Sequence, residues 1–102
     1  MDRLALQALL ESILGSDQVY FQPPSNVNMQ YPAIRYSFLK LDGKSANNHR
    51  YTSEWVYQLI LLTRDPEPES SINKQIAALQ YCKFDRTYVS DNIHHFIYNL
   101  SI

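Results

Sequence analysis

Residues 33–41 read AIRYSFLKL and residues 55–62 read WVYQLILL, and these two stretches decide the fold of the chain. In the first, Ile34, Tyr36 and Phe38 fall at alternating positions, which is the pattern of a strand with one buried face. In the second, large apolar side chains occupy both sets of alternating positions, which is typical of a strand covered on both faces. We therefore predict two neighbouring strands that form a long hairpin.

The segment between these strands, residues 42–54, is rich in Asn and in charged residues. It is too long for a tight turn, because most hairpin loops have about two to five residues and longer ones are usually functional or disordered. We interpret it as the polar tip of a hairpin arm that contacts a neighbouring subunit or another protein; the alternative is a mobile surface loop. The candidate interface residues are Lys44, Asn47, Asn48, His49, Arg50, Tyr51 and Trp55.

Working outward from the hairpin, the sequence predicts two helices and three more strands. Asp2 can cap a first helix that Gly15 ends, and Ser70 or Ser71 can cap a second one. The further strands are expected at residues 19–21, 84–88 and 93–102.

The resulting order, α-β-β-β-α-β-β, indicates an α+β fold with an antiparallel or mixed sheet and both helices on one face. The long hairpin arm lies between the second and third strands. Apolar side chains from residues 55–62 and 93–97 are expected on the opposite face as well. Two short helices cannot cover both faces, so that face is expected to require a partner surface, a folded-back arm or another subunit.

Composition limits the possible functions. The chain has 102 residues, which suits a single domain spanning residues 1–102. Nine basic and ten acidic residues give a net charge of −1 without a block of either sign, so nothing indicates a nucleic-acid footprint. One cysteine excludes an intrachain disulfide. No apolar run reaches the roughly 18 residues of a membrane span, so we expect a soluble protein that does not contact a membrane.

Candidate catalytic groups are few. His94 and His95 are neighbours on a predicted strand and should point to opposite faces, so they are not expected to share a metal. Cys82 is expected to pack in the core rather than act as a nucleophile, because it has apolar neighbours and no visible histidine partner. The carboxylates of Asp65, Glu67 and Glu69 are expected in a solvated loop stiffened by prolines. We expect no catalytic, cofactor or metal site and no enzymatic activity.

The aromatic residues allow two interpretations. They could stack on the bases of single-stranded nucleic acid, but such a platform normally accompanies a basic groove. Packing in a core or a subunit interface is favoured, because Tyr and Trp bury large areas and keep a polar group. The residues concerned are Tyr20, Phe21, Tyr31, Tyr36, Phe38, Tyr51, Trp55 and Tyr57.

Over nearly its whole length the chain resembles the tail-completion proteins of long-tailed bacteriophages, the tail terminator or tail-to-head joining family. The resemblance rests on a succession of elements and strings rather than on a catalytic motif. After an N-terminal helix come VYFQPP at residues 19–24, YPAIRYSF at 31–38, the polar tip, YTSEWVYQLILLTRDPEP at 51–68, a second helix and HHFIYNLSI at 94–102.

This resemblance implies an α+β subunit that forms a ring, usually a hexamer, at the head-proximal end of the tail. Such a ring ends polymerisation of the tail-tube protein and meets the head connector or stopper protein, and DNA can pass through its lumen without specific binding. The implied location is the virion neck, after assembly in the cytoplasm of the bacterial host. The alternatives are another neck or head-completion protein and a small non-enzymatic binding module.

Overall fold

The computed structural model describes residues 2–23, 28–46 and 50–102, with the backbone alone for residues 42–46 and 50–53. It confirms the predicted α+β fold and the order of its elements. The described elements are α1 (Arg3–Leu14), β1 (Val19–Phe21), β2 (Ala33–Ala46), β3 (Arg50–Thr63), α2 (Ser71–Ala77), β4 (Cys82–Ser90) and β5 (Ile93–Ser101). These five strands form one open, mixed sheet of order β1-β2-β3-β5-β4, in which only β1 and β2 are parallel neighbours.

The predicted caps define the helix ends. The Asp2 carboxylate accepts a hydrogen bond of 2.8 Å from the backbone N–H of Ala5, which satisfies a free donor in the first turn of α1. Gly15 ends α1 in the left-handed conformation with φ of 80°, which glycine adopts without steric cost. Ser70 caps α2 in the same manner as Asp2 caps α1, through the N–H of Asn73.

Both helices pack on one face of the sheet and enclose the main core. Leu6, Leu10 and Leu14 fall on the inner side of α1, and Ile76 is the buried anchor of α2. The sheet residues of this core are Ile34, Tyr36, Tyr57, Leu59, Leu61, Phe96, Tyr98 and Leu100. The predicted alternation of buried side chains in β2 and β5 is confirmed, because residues two positions apart lie on the face of the sheet that the helices cover.

A buried amide group connects α2 to the sheet. Asn73 is 2% exposed, and its Oδ1 accepts a hydrogen bond of 2.7 Å from the hydroxyl of Tyr98 on β5. Its Nδ2 donates to Ser70 Oγ at 3.2 Å and to the carbonyl of Glu67 at 3.4 Å. These bonds hold the loop before α2, the helix itself and β5 in one arrangement.

The helix-free face differs from the expectation. Ile60, Leu62, Ile93 and Ile97 form a second small core there, and they are already buried within the single chain, with Met29 packed against them. Met29, in the segment that precedes β2, thus packs against apolar residues for which we expected a partner surface, a folded-back arm or another subunit. These four buried side chains are therefore not available to another molecule.

The extent of the predicted polar tip was wrong. Residues 42–54 are not one long loop, because β2 continues to Ala46 and β3 begins at Arg50, with Asp42 opposite Glu54 and Ala46 opposite Arg50. Strand pairing depends on backbone hydrogen bonds and does not require apolar side chains, so a polar sequence can continue a ribbon beyond the core. β4 also begins at Cys82 rather than at residue 84.

Among the described residues, no helix is both long enough and apolar enough to cross a membrane. The longest one, α1, has 12 residues, which span about 18 Å at the usual helical rise. A typical bilayer core is about 30 Å thick.

Candidate assembly interface

The arm is the distal part of the β2–β3 hairpin, where none of the other described strands pairs with β2 or β3. β1 pairs with β2 only from Ile34 to Tyr36, and β5 pairs with β3 only from Val56 onward. Beyond these points a two-stranded ribbon extends for about six residues on each strand, or roughly 20 Å. The molecule measures 51 × 27 × 24 Å along its principal axes, in keeping with such a projection.

Four large apolar side chains are exposed where the arm leaves the sheet. Leu39 lies in a β-bulge of β2 and is 45% exposed. The other three form what we call the arm-base cluster: Phe38, Leu41 and Trp55. They are 40%, 50% and 49% exposed. Leu41 and Trp55 lie directly opposite each other in the strand register, and the Phe38 and Trp55 rings are 5.3 Å apart. A β-bulge between Phe38 and Lys40 brings Leu41 to the same side as Phe38.

The arm-base cluster is supported by packed aromatic rings. The ring of Phe38 meets that of Tyr57 edge to face at 5.8 Å, and Tyr57 in turn contacts Tyr36 at 6.1 Å. Trp55 is fixed through its backbone, which exchanges two hydrogen bonds with Ile102 at the end of the chain. Such support lowers the conformational entropy that these side chains would lose on binding a partner.

Hydrogen bonds fix the aromatic layer to α1. The buried hydroxyl of Tyr36 donates to Gln7 Oε1 at 2.6 Å and accepts from Arg3 at 3.2 Å. The Arg3 guanidinium also lies 4.4 Å from the centre of the Phe21 ring, within range of a cation–π interaction. α1 therefore positions the sheet surface from which the arm begins.

A shallow apolar cleft lies beside the arm base. Its volume is about 440 Å³, and it lies between α1 and the end of β5. Leu9, Leu79, Tyr81, Leu100 and Ile102 contribute to its lining. Ile102 also lines a smaller cleft with Trp55 and Tyr57, and the charged residues Asp2 and Arg3 at the start of α1 complete the lining of that cleft.

The predicted interface residues have three different outcomes. Lys44, Arg50 and Tyr51 lie in the arm, where their backbones pair with Thr52, Ala46 and Ser45, and their side chains are outside the described part of the structure. Asn47, Asn48 and His49 lie outside the described residues altogether. Trp55 belongs to the base of the arm rather than to its tip.

Sequence reasoning missed Phe38 and Leu41 as surface residues. Phe38 continues the alternation of Ile34 and Tyr36, so its pattern is that of a buried residue. Neither helix fully covers the part of the sheet that carries Phe38, so this side chain is partly exposed. The sequence indicated the exposure of these two residues only indirectly, through the change to mostly polar residues after Leu41.

The two adjacent histidines lie on opposite faces, as the strand alternation predicts. His94 pairs with Thr63 on the helix side, and its ring lies 6.5 Å from that of Phe96. His95 is on the helix-free face, stacked on Tyr88 at 4.4 Å, with Nδ1 3.0 Å from the carbonyl of Ile93. Their rings cannot converge on one ion.

The Cys82 thiol packs against the main core at the start of β4, as predicted. Burial raises its pKa from 9.0 to about 11. The folded state therefore holds this proton more tightly than the unfolded state, and the stability linked to it is lost as the pH rises from about 9 towards 11.

We expect slow alkylation of Cys82 in the folded protein. At pH 8 the thiolate fraction should be roughly a hundredfold lower than in the unfolded chain, because the pKa is higher by about two units. The rate of reaction with iodoacetamide, measured in buffer and in urea, tests this expectation. Equal rates under the two conditions would contradict it.

The described surface thus combines a two-stranded arm, a partly exposed aromatic cluster and a shallow apolar cleft. Within the residues that the structure describes, no three His, Cys, Asp or Glu side chains are placed to hold a metal ion.

Comparisons of the chain with protein-family models, with curated proteins and with solved structures find no match.

Proposed function

We propose that this chain is a structural assembly protein: a tail-completion subunit of a long-tailed phage that forms a ring, usually a hexamer, at the head-proximal end of the tail. In this role the ring ends polymerisation of the tail tube and joins the tail to the head connector. Its partners are other copies of the chain, the tail-tube protein and the connector or stopper protein, and its location is the virion neck. DNA passes through the lumen without sequence-specific contacts.

The observation that carries this proposal is the arm with partly exposed aromatic residues at its base. A few residues, often aromatic, commonly account for most of the binding energy of a protein interface. Phe38 and Trp55 are held by a packed layer and are yet 40% and 49% exposed, so they are ready to be covered by another molecule. A projecting arm also supplies what a ring needs, namely one surface that meets a different surface of the next subunit.

The fold and the sequence resemblance support the same role. A small α+β domain with an arm between its second and third strands is what the phage family implies. The resemblance includes the strings at residues 31–38 and 51–68, which cover the first six residues of β2 and all of β3 except Arg50. The proposal therefore uses the resemblance for the biological setting and the geometry for the mode of assembly.

Purified protein tests this function directly. We expect particles with an open centre in negative-stain electron microscopy and a multiple of the 11.9 kDa subunit mass in light scattering, either alone or with the tail-tube protein. A protein that remains monomeric under both conditions, at concentrations well above those in an infected cell, would refute the proposal.

The single tryptophan gives a second readout. Because Trp55 is the only one in the chain, its fluorescence reports on the arm base alone. Burial during assembly should shift its emission to shorter wavelength in step with the increase in mass. Assembly without any such shift would remove the arm base from the interface.

A further inference from the structure

The helix-free face carries positive charge where the sheet is four strands wide. Residues that pair across β2, β3, β5 and β4 form three rows whose side chains lie on this face. The charged side chains in these rows are Arg35, Lys83 and Arg86. All three are exposed. Arg35 and Lys83 have no carboxylate partner among the described residues, whereas Arg86 is bonded at 2.9 Å to Asp85 in the β-bulge of β4.

An acidic projection lies on the other side of the sheet. The loop of residues 65–69, sequence DPEPE, leads into α2 and carries three exposed carboxylates. The Asp65 carboxylate accepts the N–H of Glu67 at 3.0 Å, and the Glu67 carboxylate accepts the N–H of Glu69 at 3.1 Å. Pro68 and Glu69 line a cleft with Phe84 and Tyr98, which places this acidic loop on the helix side.

We propose that the helix-free face of one subunit binds the acidic loop of the next subunit. The occupant is a second copy of this chain, because the chain itself presents the complementary charge in an ordered loop. This inference rests on the proposed function and specifies which surfaces meet in the assembly.

Front-to-back contact has a geometric consequence. The basic rows and the acidic loop lie on opposite sides of one sheet, so two copies cannot satisfy both surfaces in a symmetric dimer. Each bound copy instead leaves a free face at one end and a free loop at the other. Contacts of this kind continue until they close into a ring or extend as a helical filament.

Nucleic acid is the less favoured occupant of the helix-free face. A surface that binds phosphates usually clusters many Lys and Arg residues, and six to ten phosphate contacts are common for tight binders. The rows described above hold three basic residues, one of them already paired, in a chain of net charge −1. Complementarity to an acidic protein surface requires less charge.

A charge exchange between two variants tests this inference. Variant A carries Arg35→Glu and Lys83→Glu, and variant B carries Glu67→Lys and Glu69→Lys. Alone, each variant places like charges at the contact, so we expect assembly to weaken by about a hundredfold or more. Mixed in equal amounts, the loop of A meets the face of B and the loop of B meets the face of A, so assembly should return. A control, Asp17→Lys, changes an exposed charge outside both surfaces, in the loop between α1 and β1, and should assemble as the wild type does.

The outcomes separate this inference from the proposed function. If the wild type forms rings but A and B also assemble normally, or if their mixture does not recover although both are folded by circular dichroism, the docking inference is wrong and the ring proposal stands. If the wild type never assembles, the proposed function fails and this inference with it. Loss of duplex DNA retention in A alone, with its assembly unchanged, would assign the face to nucleic acid instead.

Discussion

Replacement of both Phe38 and Trp55 by serine is expected to abolish assembly while the subunit stays folded. Alanine substitution of aromatic anchors typically costs about 2 to 4 kcal/mol of binding each, so the pair should weaken association by more than about a thousandfold. The folded subunit should lose less, about 1 to 3 kcal/mol for the two ring contacts at 5.3 and 5.8 Å together with the contribution of the area that the two side chains already bury. Light scattering measures the first effect, and thermal unfolding measures the second.

The control for this experiment uses exposed residues at the other end of the sheet. Tyr31 and Val89 are 37% and 58% exposed, and they lie near the start of β2 and the end of β4, away from the arm. Serine at both positions should leave assembly unchanged. If the arm-base variant assembled as well as this control, the arm base would have no part in the interface.

The second large effect is expected inside the subunit, at Asn73. Asn73→Ala removes the partner of the buried Tyr98 hydroxyl and of the Glu67 carbonyl. An unsatisfied buried polar group costs about 1 to 3 kcal/mol, and the lost packing adds to this, so we expect a loss of about 2 to 4 kcal/mol in the free energy of unfolding. Urea denaturation followed by circular dichroism measures the change.

A double-mutant cycle identifies the cause of that loss. Burial raises the pKa of Tyr98, so its hydroxyl remains a protonated donor at neutral pH. Tyr98→Phe removes this donor, and the combination with Asn73→Ala should cost less than the sum of the two single changes by about 1 kcal/mol or more. Gln75→Ala, on the exposed side of α2, serves as the control with a change within about 0.5 kcal/mol. Strict additivity would show that the hydrogen bond contributes nothing.

Local rules predicted most of the fold. The cap at Asp2 and the glycine that ends α1 act within one turn of a helix, so neighbouring residues suffice to identify them. The second cap was narrowed to Ser70 or Ser71, and the structure selects Ser70. Alternation in β2 and β5 likewise indicated which residues share a face. The helix-free face could not be predicted in this way, because Ile60 and Ile97 pack in one cluster with Met29, which is far away in sequence.

The candidate interface was predicted in part. The hairpin and the inclusion of Trp55 followed from sequence, but the tip was drawn too long and Phe38 was assigned to the buried face. The first error arose because a polar pattern shows that side chains meet solvent and does not show whether the backbone is paired. The second arose because alternation shows which side chains share a face and does not show how far the helices cover that face. The charge asymmetry between the two faces was also hidden, since Arg35 and Lys83 are 48 positions apart in the chain.

By itself, the sequence determined the order of elements, the helix ends, the existence of the long hairpin and the absence of an intrachain disulfide, because each depends on local patterns or on composition. Only the tertiary structure decided where the third strand stops, and therefore which aromatic residues remain exposed at the base of the arm. It also decided which charges share a face, because strand register brings together residues that no local pattern connects.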